Sequence, residues 1–351
     1  MPDWRRSIIK PDSVIGDAVR ALNTGGFEIG LVTAGDGRLL GTITDGDVRR
    51  GLLRGLGMDA PVAEIMNAKP VTAAPDAARG ALLKRMTADL LRQIPLVDGG
   101  GRVVGLVHMR DLTPPIESRD NWVVLMAGGL GERLRPLTDD TPKPLLSVGS
   151  KPILESILEG FVEQKFRRFY ISVNYKADSI KRHFGDGRKW NVEIRYLQEE
   201  TRLGTAGALR LIPDLPRNPL LIMNGDLVTR VNFQDLLDYH EQQKSRATMC
   251  VRQYDIQVPF GVVGINGNKI RVIDEKPVQR FLVNAGIYVL EPDLIELIPA
   301  GENFDMTDLF TRVVANEHDT AAFPIHEYWL DVGRLDDLQR ANLDMANGVT
   351  P

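Results

Sequence analysis

The sequence predicts an α/β protein in two parts: a small duplicated module, followed by a larger, mixed but mostly parallel sheet with helices on both faces. Three observations support this prediction. The first 120 residues contain an internal repeat with an offset of about 64 residues, apolar strand-like runs then alternate with helical ones, and a glycine-rich loop directly follows the first of those runs. Continuous apolar strands separated by helices are typical of a parallel sheet covered on both faces.

The composition is that of an ordinary globular protein. Of the 351 residues, 43% are hydrophobic and 26% are charged, and the length suffices for about two domains. The formal net charge of -4 argues against nucleic acid as a partner, because no basic excess exists to neutralise a phosphate backbone. The first residues, MPDWRRSIIK, lack the apolar core of a signal peptide, and no apolar run is long enough to span a membrane. We therefore expect a soluble, cytoplasmic protein with no membrane partner.

The N-terminal repeat aligns GRLLGTITDGDVRRGL with GRVVGLVHMRDLTPPI. In each copy a GDGR or GGGR turn leads into a short apolar strand and then an aspartate. A helix is predicted before each copy, over residues 15–23 and 76–86, followed by the short strands EIGLVT and QIPLVD. Two β-α-β-β-α-like units would form one module over residues 1–117. The proline-containing segment DLTPPIESRDN then predicts a linker, and a second domain over 121–351.

Strand-like and helical runs alternate after the linker. They are WVVLMAG, a helix over 153–164, RRFYISVN, a helix over 177–184, VEIRYLQE, a helix over 206–212, and PLLIMNGD. Further strands with turn signals follow between 246 and 290, which predicts β structure added to the core. One of them, RATMCVRQY, carries the only cysteine, Cys250. A lone cysteine in a strand pattern predicts a buried structural thiol and excludes an internal disulfide.

The glycine-rich loop is the first candidate for chemistry. Gly128, Gly129 and Gly131 follow the strand WVVLM, at the edge where open α/β sheets bind ligands. Glycines let backbone N–H groups approach phosphate oxygens closely. No Gly-Lys-Ser/Thr follows, so the loop is not a Walker motif. The G-G-x-G spacing and two nearby prolines also exclude a dinucleotide fingerprint, and with it a dehydrogenase. The glycines alone are equally compatible with a plain turn.

The whole string AGGLGERLRPLTDDTPKPLLSVGSKPILE is far more specific, and it resembles the signature of the sugar-1-phosphate nucleotidylyltransferases. The family's later motifs follow in order through residues 121–345. The resemblance implies a Rossmann-like, nucleotide-diphospho-sugar transferase fold. It also implies a reaction that joins a nucleoside triphosphate and a sugar 1-phosphate into a nucleotide sugar and pyrophosphate. Such a transfer depends on positioning, on cations that neutralise charge and on a carboxylate-bound divalent metal.

The resemblance assigns the phosphate chemistry to a few charged side chains. Arg133 matches the arginine that lies on the triphosphate and stabilises the departing pyrophosphate, a role suited to its fork of donors. Lys143, in PKP, matches the lysine that approaches the reacting phosphates. Asp226, in LLIMNGD, and Asp331, in YWLDVG, match the carboxylates that hold Mg²⁺. Their alternative reading is an aspartate that caps a turn before a glycine.

The resemblance also assigns separate motifs to the nucleotide and to the sugar. The nucleotide would contact the glycine loop and QEETRLGTAGAL, through Ala127, Gly128, Gly129, Gly131, Glu199, Gly204, Thr205 and Gly207. Thr205 would serve equally well as a plain helix N-cap. PFGVV, IDEKP and VNAGIYVL would face the sugar through Gly261, Glu275, Asn284 and Gly286, with Lys276 on the sugar phosphate. Outside this context a Glu-Lys pair is most often a solvated surface pair.

The LGTAGAL form and the order of the two parts are similar to guanylyltransferases that act on mannose or glucosamine 1-phosphate. We therefore expect GTP as the nucleotide and a product used in cell-surface glycan synthesis. A uridylyl- or thymidylyltransferase acting on glucose 1-phosphate is the alternative within the family. A non-catalytic nucleotide-sugar sensor is the alternative outside it, but that reading predicts loss of the phosphate cations or metal carboxylates, which are all present.

The N-terminal repeat resembles a tandem pair of CBS domains. Its GTITDGD matches their core motif, in which Thr44 and Asp47 would reach the phosphate and ribose of an adenine nucleotide. The second copy, GLVHMRD, keeps Asp111 but has His108 in place of the hydroxyl, which puts the second site in doubt. The resemblance implies an adenine-nucleotide sensor, with a ligand-free dimerisation module as the alternative. Because paired CBS modules commonly associate, we expect a homo-oligomer.

Overall fold

A computed structural model describes residues 3–25, 27–112 and 118–348. The chain divides into two compact units, Met1–Pro115 and Ile116–Pro351. Residues 113–117 of the predicted linker lie outside the described part. No helix in the described ranges is both long and apolar enough to cross a bilayer.

The N-terminal unit contains both repeats. Its helices are α1 (Ile15–Gly25), α2 (Asp45–Leu53) and α3 (Arg79–Ala88), and its strands are β1 (Ile8–Ile9), β2 (Ile29–Thr33), β3 (Leu39–Thr44), β4 (Gln93–Val97) and β5 (Val103–His108). β1 pairs in parallel with β2, which is antiparallel to β3, and β4 pairs with β5 as the second copy of that hairpin.

The offset of the repeat is preserved in the backbone pairing. Ile9 pairs in parallel with Val32 in the first copy, and Ala73 forms an isolated parallel bridge with Leu96 in the second. Both residues of that bridge lie 64 positions beyond their counterparts. The second copy therefore keeps the parallel pairing that β1 makes with β2, but only as a single bridge. The two isoleucines of β1 correspond there to a threonine and an alanine, which form strands less readily.

The C-terminal unit carries most of the secondary structure. Its strands are β6 (Arg119–Met126), β7 (Ser147–Val148), β8 (Lys151–Pro152), β9 (Phe166–Val173), β10 (Glu193–Gln198), β11 (Leu220–Asn224), β12 (Leu227–Thr229), β13 (Ala247–Gln257), β14 (Val262–Asn266), β15 (Lys269–Asp274), β16 (Val278–Leu290), β17 (Thr320–Ile325) and β18 (Trp329–Asp331). Its helices are α4 (Ile153–Glu163), α5 (Ala177–Phe184), α6 (Gly204–Gly207), α7 (Phe233–Gln243), α8 (Met306–Ala315) and α9 (Leu335–Ala346).

Seven of these strands form the main sheet, in the order β10-β9-β6-β11-β16-β13-β17. Only β16 runs against its neighbours, β11 and β13, and the other adjacent pairs are parallel. The fold is thus the mixed, mostly parallel sheet that the sequence predicts. Three further pairs, β7-β8, β12-β18 and β14-β15, lie outside this sheet.

The inner strands β6, β9 and β11 are buried on both faces over most of their length, which explains their continuous apolar runs. Alternate side chains of β6 enter different cores: Val123 and Leu125 pack with α4, whereas Trp122 and Val124 pack with α8. Cys250 lies buried in β13, as predicted.

The predicted helix over 206–212 is shorter than expected. The structure has the single turn α6 followed by a 3-10 turn, Ala208–Leu211. Ile212 is extended, at φ −65° and ψ 118°, because the residue before a proline, here Pro213, is disfavoured in the α region.

Candidate active site

Asp226 and Asp331 meet where β11 ends. β12 begins directly after Asp226 and pairs with β18, a register that sets Leu227 opposite Asp331. The backbone N–H of Val332 also donates to the carbonyl of Asp226 at 3.0 Å. The antiparallel pairing of two short strands therefore brings the two carboxylates together at the carboxyl end of the parallel strands.

Lys143 is the partner of Asp226. Its Nζ donates to Oδ2 of Asp226 at 2.5 Å, and the lysine side chain is only 10% exposed. The other carboxylate oxygen, Oδ1, is buried and has no hydrogen-bond partner among the described residues. A buried polar atom left unpaired costs about 1–3 kcal/mol, so this oxygen is suited to a ligand or cation.

The electrostatics of Asp331 are consistent with a cation site. Burial raises the pKa of Asp331, the charge of Asp226 raises it further, and Lys143 and Arg133 oppose that rise. A divalent cation held by Asp226 and Asp331 would relieve the repulsion between the two carboxylates. Mg²⁺ typically takes one or two protein carboxylates, so Asp226 and Asp331 are a donor set that fits it.

Arg133 lies beside the same carboxylates, in a 3-10 turn at Glu132–Leu134. A Cβ atom placed on Gly333 would stand 3.7 Å from Nη1 of Arg133 and 3.7 Å from Oδ1 of Asp331. The structure thus brings Arg133, Lys143, Asp226 and Asp331 into one cluster. Sequence reasoning missed Asp337, whose Oδ2 also lies 3.7 Å from that position and accepts from the backbone N–H of Arg334 at 2.8 Å.

The glycine loop packs against Lys143. Gly131 adopts a left-handed φ of 67°, and a Cβ there would approach Thr138 Cγ2 at 2.8 Å and Lys143 Cβ at 3.0 Å. The left-handed φ and the short distances each require glycine at this position. Thr138 Oγ1 donates to the carbonyl of Gly131 at 2.9 Å, which fixes the turn. Gly129, by contrast, faces open space, while Ala127 is buried at the end of β6.

Glu199 is buried, and its carboxylate is engaged within the protein. Ser172 donates to Oε1, and the backbone N–H of Leu203 donates to Oε2 at 3.0 Å. A Cβ on Gly128 would lie 2.6 Å from Oε1, so the glycine loop approaches the same carboxylate. Glu199 therefore ties the predicted nucleotide segment to the sheet and to the loop, through contacts that leave little of the carboxylate for a base.

The segment GTAG docks onto the start of α8. The backbone N–H and Oγ1 of Thr205 donate to Oδ1 of Asp305 at 2.9 and 3.1 Å, and Oγ1 accepts from the N–H of Met306 at 2.8 Å. Gly204 and Gly207 lie against residues 302–304. The N-cap of α6 is Leu203, so Thr205 is not the N-cap that the alternative reading expects.

The predicted sugar residues fall into two groups. Gly286, at φ 71°, stands opposite Asn224, and a Cβ there would lie 2.7 Å from Nδ2 of Asn224. Asn284 supports that turn: its Oδ1 accepts from the N–H of Gly286 at 2.9 Å, and its Nδ2 donates to Tyr288 at 2.8 Å. These residues thus adjoin the carboxylate cluster through β11.

Asn224 itself was missed by sequence reasoning. Its Oδ1 is buried and has no partner among the described residues, two positions before Asp226. The string NGD could have indicated this residue, because its asparagine ends an apolar strand. Backbone pairing in the sheet does not satisfy the side-chain amide, which therefore needs another partner when it is buried.

The second group lies further out. A Cβ on Gly261 would come within 3.0 Å of Oε2 of Glu275, so these two residues are adjacent. Lys276 follows β15 at a left-handed φ of 49° and is exposed. Within the described ranges, no hydrogen bond or ion pair joins Lys276 to Asp226 or its neighbours.

In the N-terminal unit, Thr44 and Asp47 form the cap of α2. Oδ2 of Asp47 accepts from the N–H of Thr44 at 2.7 Å and from its Oγ1 at 2.6 Å. His108 holds the equivalent position in the second copy, where its Nδ1 accepts from the N–H of Arg110 at 3.1 Å. His108 thus caps the 3-10 turn Met109–Asp111 with its own ring nitrogen, while Asp111 is exposed.

A sequence model described as Nucleotidyl transferase matches residues 122–348. The chain belongs to the nucleotidyl transferase family. The CBS domain model matches residues 7–54 and 62–114, so this nucleotidyl transferase carries a tandem pair of CBS domains at its N-terminal end.

Curated relatives of this nucleotidyl transferase differ in the nucleotide that their names state. A mannose-1-phosphate guanyltransferase of Debaryomyces hansenii is 31% identical over 227 residues, which are 61% of each chain. A UTP–glucose-1-phosphate uridylyltransferase of Synechocystis is 30% identical over 240 residues, covering 62% of this chain and 61% of that one. The chain thus spans about three fifths of the length of the relatives that it matches.

Solved structures with this fold include one from Bacillus anthracis assigned as a glucose-1-phosphate thymidylyltransferase. It is 25% identical with a TM-score of 0.52, and the match covers 63% of this chain and 93% of that one. HddC from Yersinia pseudotuberculosis is also 25% identical, with a TM-score of 0.50 and coverage of 64% and 99%.

Proposed function

We propose that this nucleotidyl transferase is a Mg²⁺-dependent enzyme that transfers a nucleotidyl group to a sugar 1-phosphate and releases pyrophosphate. The observation that carries the proposal is the cluster of Arg133, Lys143, Asp226 and Asp331. One carboxylate oxygen of Asp226 is buried there and has no hydrogen-bond partner within residues 3–25, 27–112 and 118–348. A cluster of these two cations and two acids, with Asp337 beside it, is poised to accept phosphates together with a divalent ion.

Charge balance supports these roles. Without substrate, Arg133 and Lys143 offset Asp226 and Asp331, and Asp337 adds a further negative charge beside them. A bound triphosphate adds several negative charges, which Mg²⁺ held by the two carboxylates would partly neutralise. Arg133 would then stabilise the departing pyrophosphate through its planar donors. Lys143, fixed by Asp226, would orient the α-phosphate for in-line attack, and the open backbone at Gly129 would approach the phosphate chain.

GTP with mannose 1-phosphate or glucosamine 1-phosphate is the substrate pair that we propose. The LGTAGAL segment supports it, as do the guanyltransferase names of several relatives. Uridylyl or thymidylyl transfer to glucose 1-phosphate is the second candidate, because the Synechocystis relative and the Bacillus anthracis structure have those names. In either case the product would supply cell-surface glycan synthesis from the cytoplasm.

The test is release of pyrophosphate with Mg²⁺, crossing GTP, UTP, dTTP, CTP and ATP against mannose, glucosamine and glucose 1-phosphates. We expect one pair to be preferred by at least tenfold in kcat/KM, because a site that hydrogen-bonds the base discriminates strongly. Asp226→Asn is the matched inactive control. A chain that binds nucleotide sugars but gives no turnover, with or without AMP or ATP, would instead be the sensor.

For the CBS pair we propose an adenine-nucleotide site at Thr44 and Asp47, with Asp111 in the second copy, and a homo-oligomeric chain. The capping contacts of Thr44 and Asp47 also support the alternative, a module without ligand. Calorimetry with AMP, ADP and ATP distinguishes the two. We expect binding that Asp47→Asn weakens, and heats equal to buffer dilution would favour the ligand-free module.

A further inference from the structure

The two CBS copies pair with each other about a pseudo-two-fold axis. Arg38 forms an isolated antiparallel bridge with Arg102, its own counterpart 64 positions on. Two reciprocal backbone hydrogen bonds flank this bridge, at 3.0 and 3.1 Å, and in each the residue after one arginine donates to the residue before the other. Exchanging the copies turns one hydrogen bond into the other. The axis therefore passes between equivalent residues of the two copies.

A second pair of counterparts meets at this axis with opposite charges. Glu28 precedes β2 and Arg92 precedes β4, and the two residues also lie 64 positions apart. Nη1 of Arg92 lies 3.8 Å from Oε2 of Glu28. Because equivalent residues touch only near the axis, the charge of the module is asymmetric at the place where its two copies meet.

His108 lies beside the same carboxylate. Its Nδ1 accepts from the N–H of Arg110, which leaves the proton of the neutral ring on Nε2. Nε2 lies 3.9 Å from Oε2 of Glu28, too far for a hydrogen bond, and it is buried with no hydrogen-bond partner in the part of the chain that the structure describes. The side chain of His108 is only 8% exposed. A buried donor that lacks an acceptor costs free energy, so this nitrogen is suited to an anion that approaches more closely than Glu28 does.

Three basic side chains of the second copy act on the carboxylate of Glu28. The pKa of Glu28 is lowered: His108 is the largest cause, and Arg92 and Arg110 act in the same direction against burial, which raises it. The carboxylate is therefore charged at neutral pH. Its side chain is 38% exposed, so it can turn out into water when another anion arrives. Glu28 thus supplies the cations of the second copy with an anion from the first.

The cluster lies at the second copy's equivalent of the proposed phosphate position. In the first copy Thr44 would reach the phosphate of a nucleotide, and the counterpart of Thr44 in the second copy is His108. The counterpart of Glu28 itself is Arg92. A phosphate at the second copy therefore meets the like charge of Glu28, whereas the corresponding residue for a phosphate at the first copy is a cation. Two anions that need the same donors repel each other, so only one of them can occupy the cluster.

We propose that Glu28 is an internal competitor of a phosphate-bearing ligand at the second copy, so that the two copies bind unequally and the first fills before the second. The phosphate of the ligand would displace the carboxylate of Glu28 and accept the Nε2–H of His108. That the ligand is an adenine nucleotide rests on the proposed function, whereas competition between Glu28 and a phosphate does not.

The first experiment follows the ring of His108 by NMR in the full chain labelled with [¹³Cε1]histidine. The chain has five histidines, and His108→Gln identifies the signal of His108. AMP and inorganic phosphate are titrated separately, without Mg²⁺. We expect Glu28→Gln to lower the half-maximal concentration for the His108 shift at least tenfold, because a competitor that is present about nine-tenths of the time weakens the apparent affinity about tenfold. Glu64→Gln removes an exposed carboxylate of the same unit and should leave that concentration unchanged.

The second experiment is calorimetry with AMP, which counts the binding steps. We expect the wild type to show a tighter step that Asp47→Asn weakens, and Glu28→Gln to strengthen the weaker step. The NMR titrations are repeated with Asp47→Asn, so that a shift transmitted to His108 from the first copy is recognised. If Glu28→Gln misfolds by circular dichroism, Glu28→Asn serves in its place, because asparagine tolerates the left-handed φ of 56° at this position.

The outcomes separate this proposal from the proposed function. If AMP gives no heat but phosphate moves the His108 signal more readily in Glu28→Gln than in the wild type, the adenine nucleotide is contradicted and the competition is supported. Equal half-maximal concentrations in Glu28→Gln and the wild type would overturn the proposal. An equal gain in Glu64→Gln would also overturn it, as would a His108 signal that neither probe moves in Glu28→Gln.

Discussion

Lys143 Nζ lies 2.5 Å from Oδ2 of Asp226, although 83 positions separate the two residues in the chain. The pair occupies one carboxylate oxygen and leaves the other buried, with no hydrogen-bond partner in the part of the chain that the structure describes. This asymmetry would let one aspartate both orient a lysine and hold the cation that we propose.

Asp226→Asn removes the charge but keeps the shape of the side chain. We expect kcat to fall by about 10²–10³, the usual cost of losing one charge-stabilising group, while the fold is retained. Pyrophosphate release measures the rate, and circular dichroism checks the fold. Asp235→Asn, on the neighbouring helix α7, is the control. Near-normal turnover of Asp226→Asn would show that the metal is held elsewhere.

Lys143→Met leaves two adjacent carboxylates with Arg133 as the remaining cation of the cluster. We expect a lower Tm without metal, since removing one member of a buried ion pair costs about 3–5 kcal/mol. Mg²⁺ should then raise the Tm of the variant more than that of the wild type, because it replaces the lost charge. Lys151→Met, which breaks an exposed pair with Glu159, should change neither value noticeably. Equal Mg²⁺ shifts in variant and wild type would contradict the cation site.

Glu199→Gln tests whether Glu199 positions the nucleotide segment. The amide can still accept from the N–H of Leu203 and donate to the hydroxyl of Ser172, but its hydrogen bonds are no longer charge-assisted. We expect KM for the nucleotide to rise about tenfold with little change in kcat, since a buried hydrogen bond to a charged group is worth about 1–1.5 kcal/mol more than one to a neutral group. Glu200→Gln, at the next, exposed position, is the control. A fall in kcat with KM unchanged would instead assign Glu199 to the reacting groups.

The contacts of Glu155 predict that the free energy of unfolding depends on pH. Burial raises the pKa of this carboxyl, but hydrogen bonds from His183 at 2.6 Å and Lys189 at 3.2 Å outweigh burial and lower it. A lowered carboxyl pKa stabilises the folded state above the unfolded pKa, and this contribution disappears as pH falls through the folded value.

Glu155→Gln should therefore unfold more easily than the wild type at pH 7, by about 1–3 kcal/mol. The difference should stay constant down to about pH 5 and shrink below it. Urea unfolding from pH 3 to 8 measures the free energy of unfolding of the variant and of the wild type. A difference that does not narrow at acidic pH would show that the carboxylate charge contributes nothing.

Much of the fold could be predicted because it follows from local sequence patterns. The helix over 177–184 and the strand-forming runs follow from apolar periodicity, and the repeat follows from its offset, which the pairings Ile9–Val32 and Ala73–Leu96 preserve. The helix over 206–212 was predicted too long because the effect of Pro213 on Ile212 was not weighed.

The sequence by itself determined the order of the motifs and the residue types that phosphate chemistry requires, because these depend on spacing along the chain. Only the tertiary structure decided that Lys143 pairs with Asp226, that Glu199 is engaged by Ser172 and Leu203, and that every residue of β15 is exposed. Such contacts depend on strand order and register, which join residues that the sequence keeps far apart. Burial then sets the free energy of these contacts, because an unpaired carboxylate costs free energy in the protein interior but not in water.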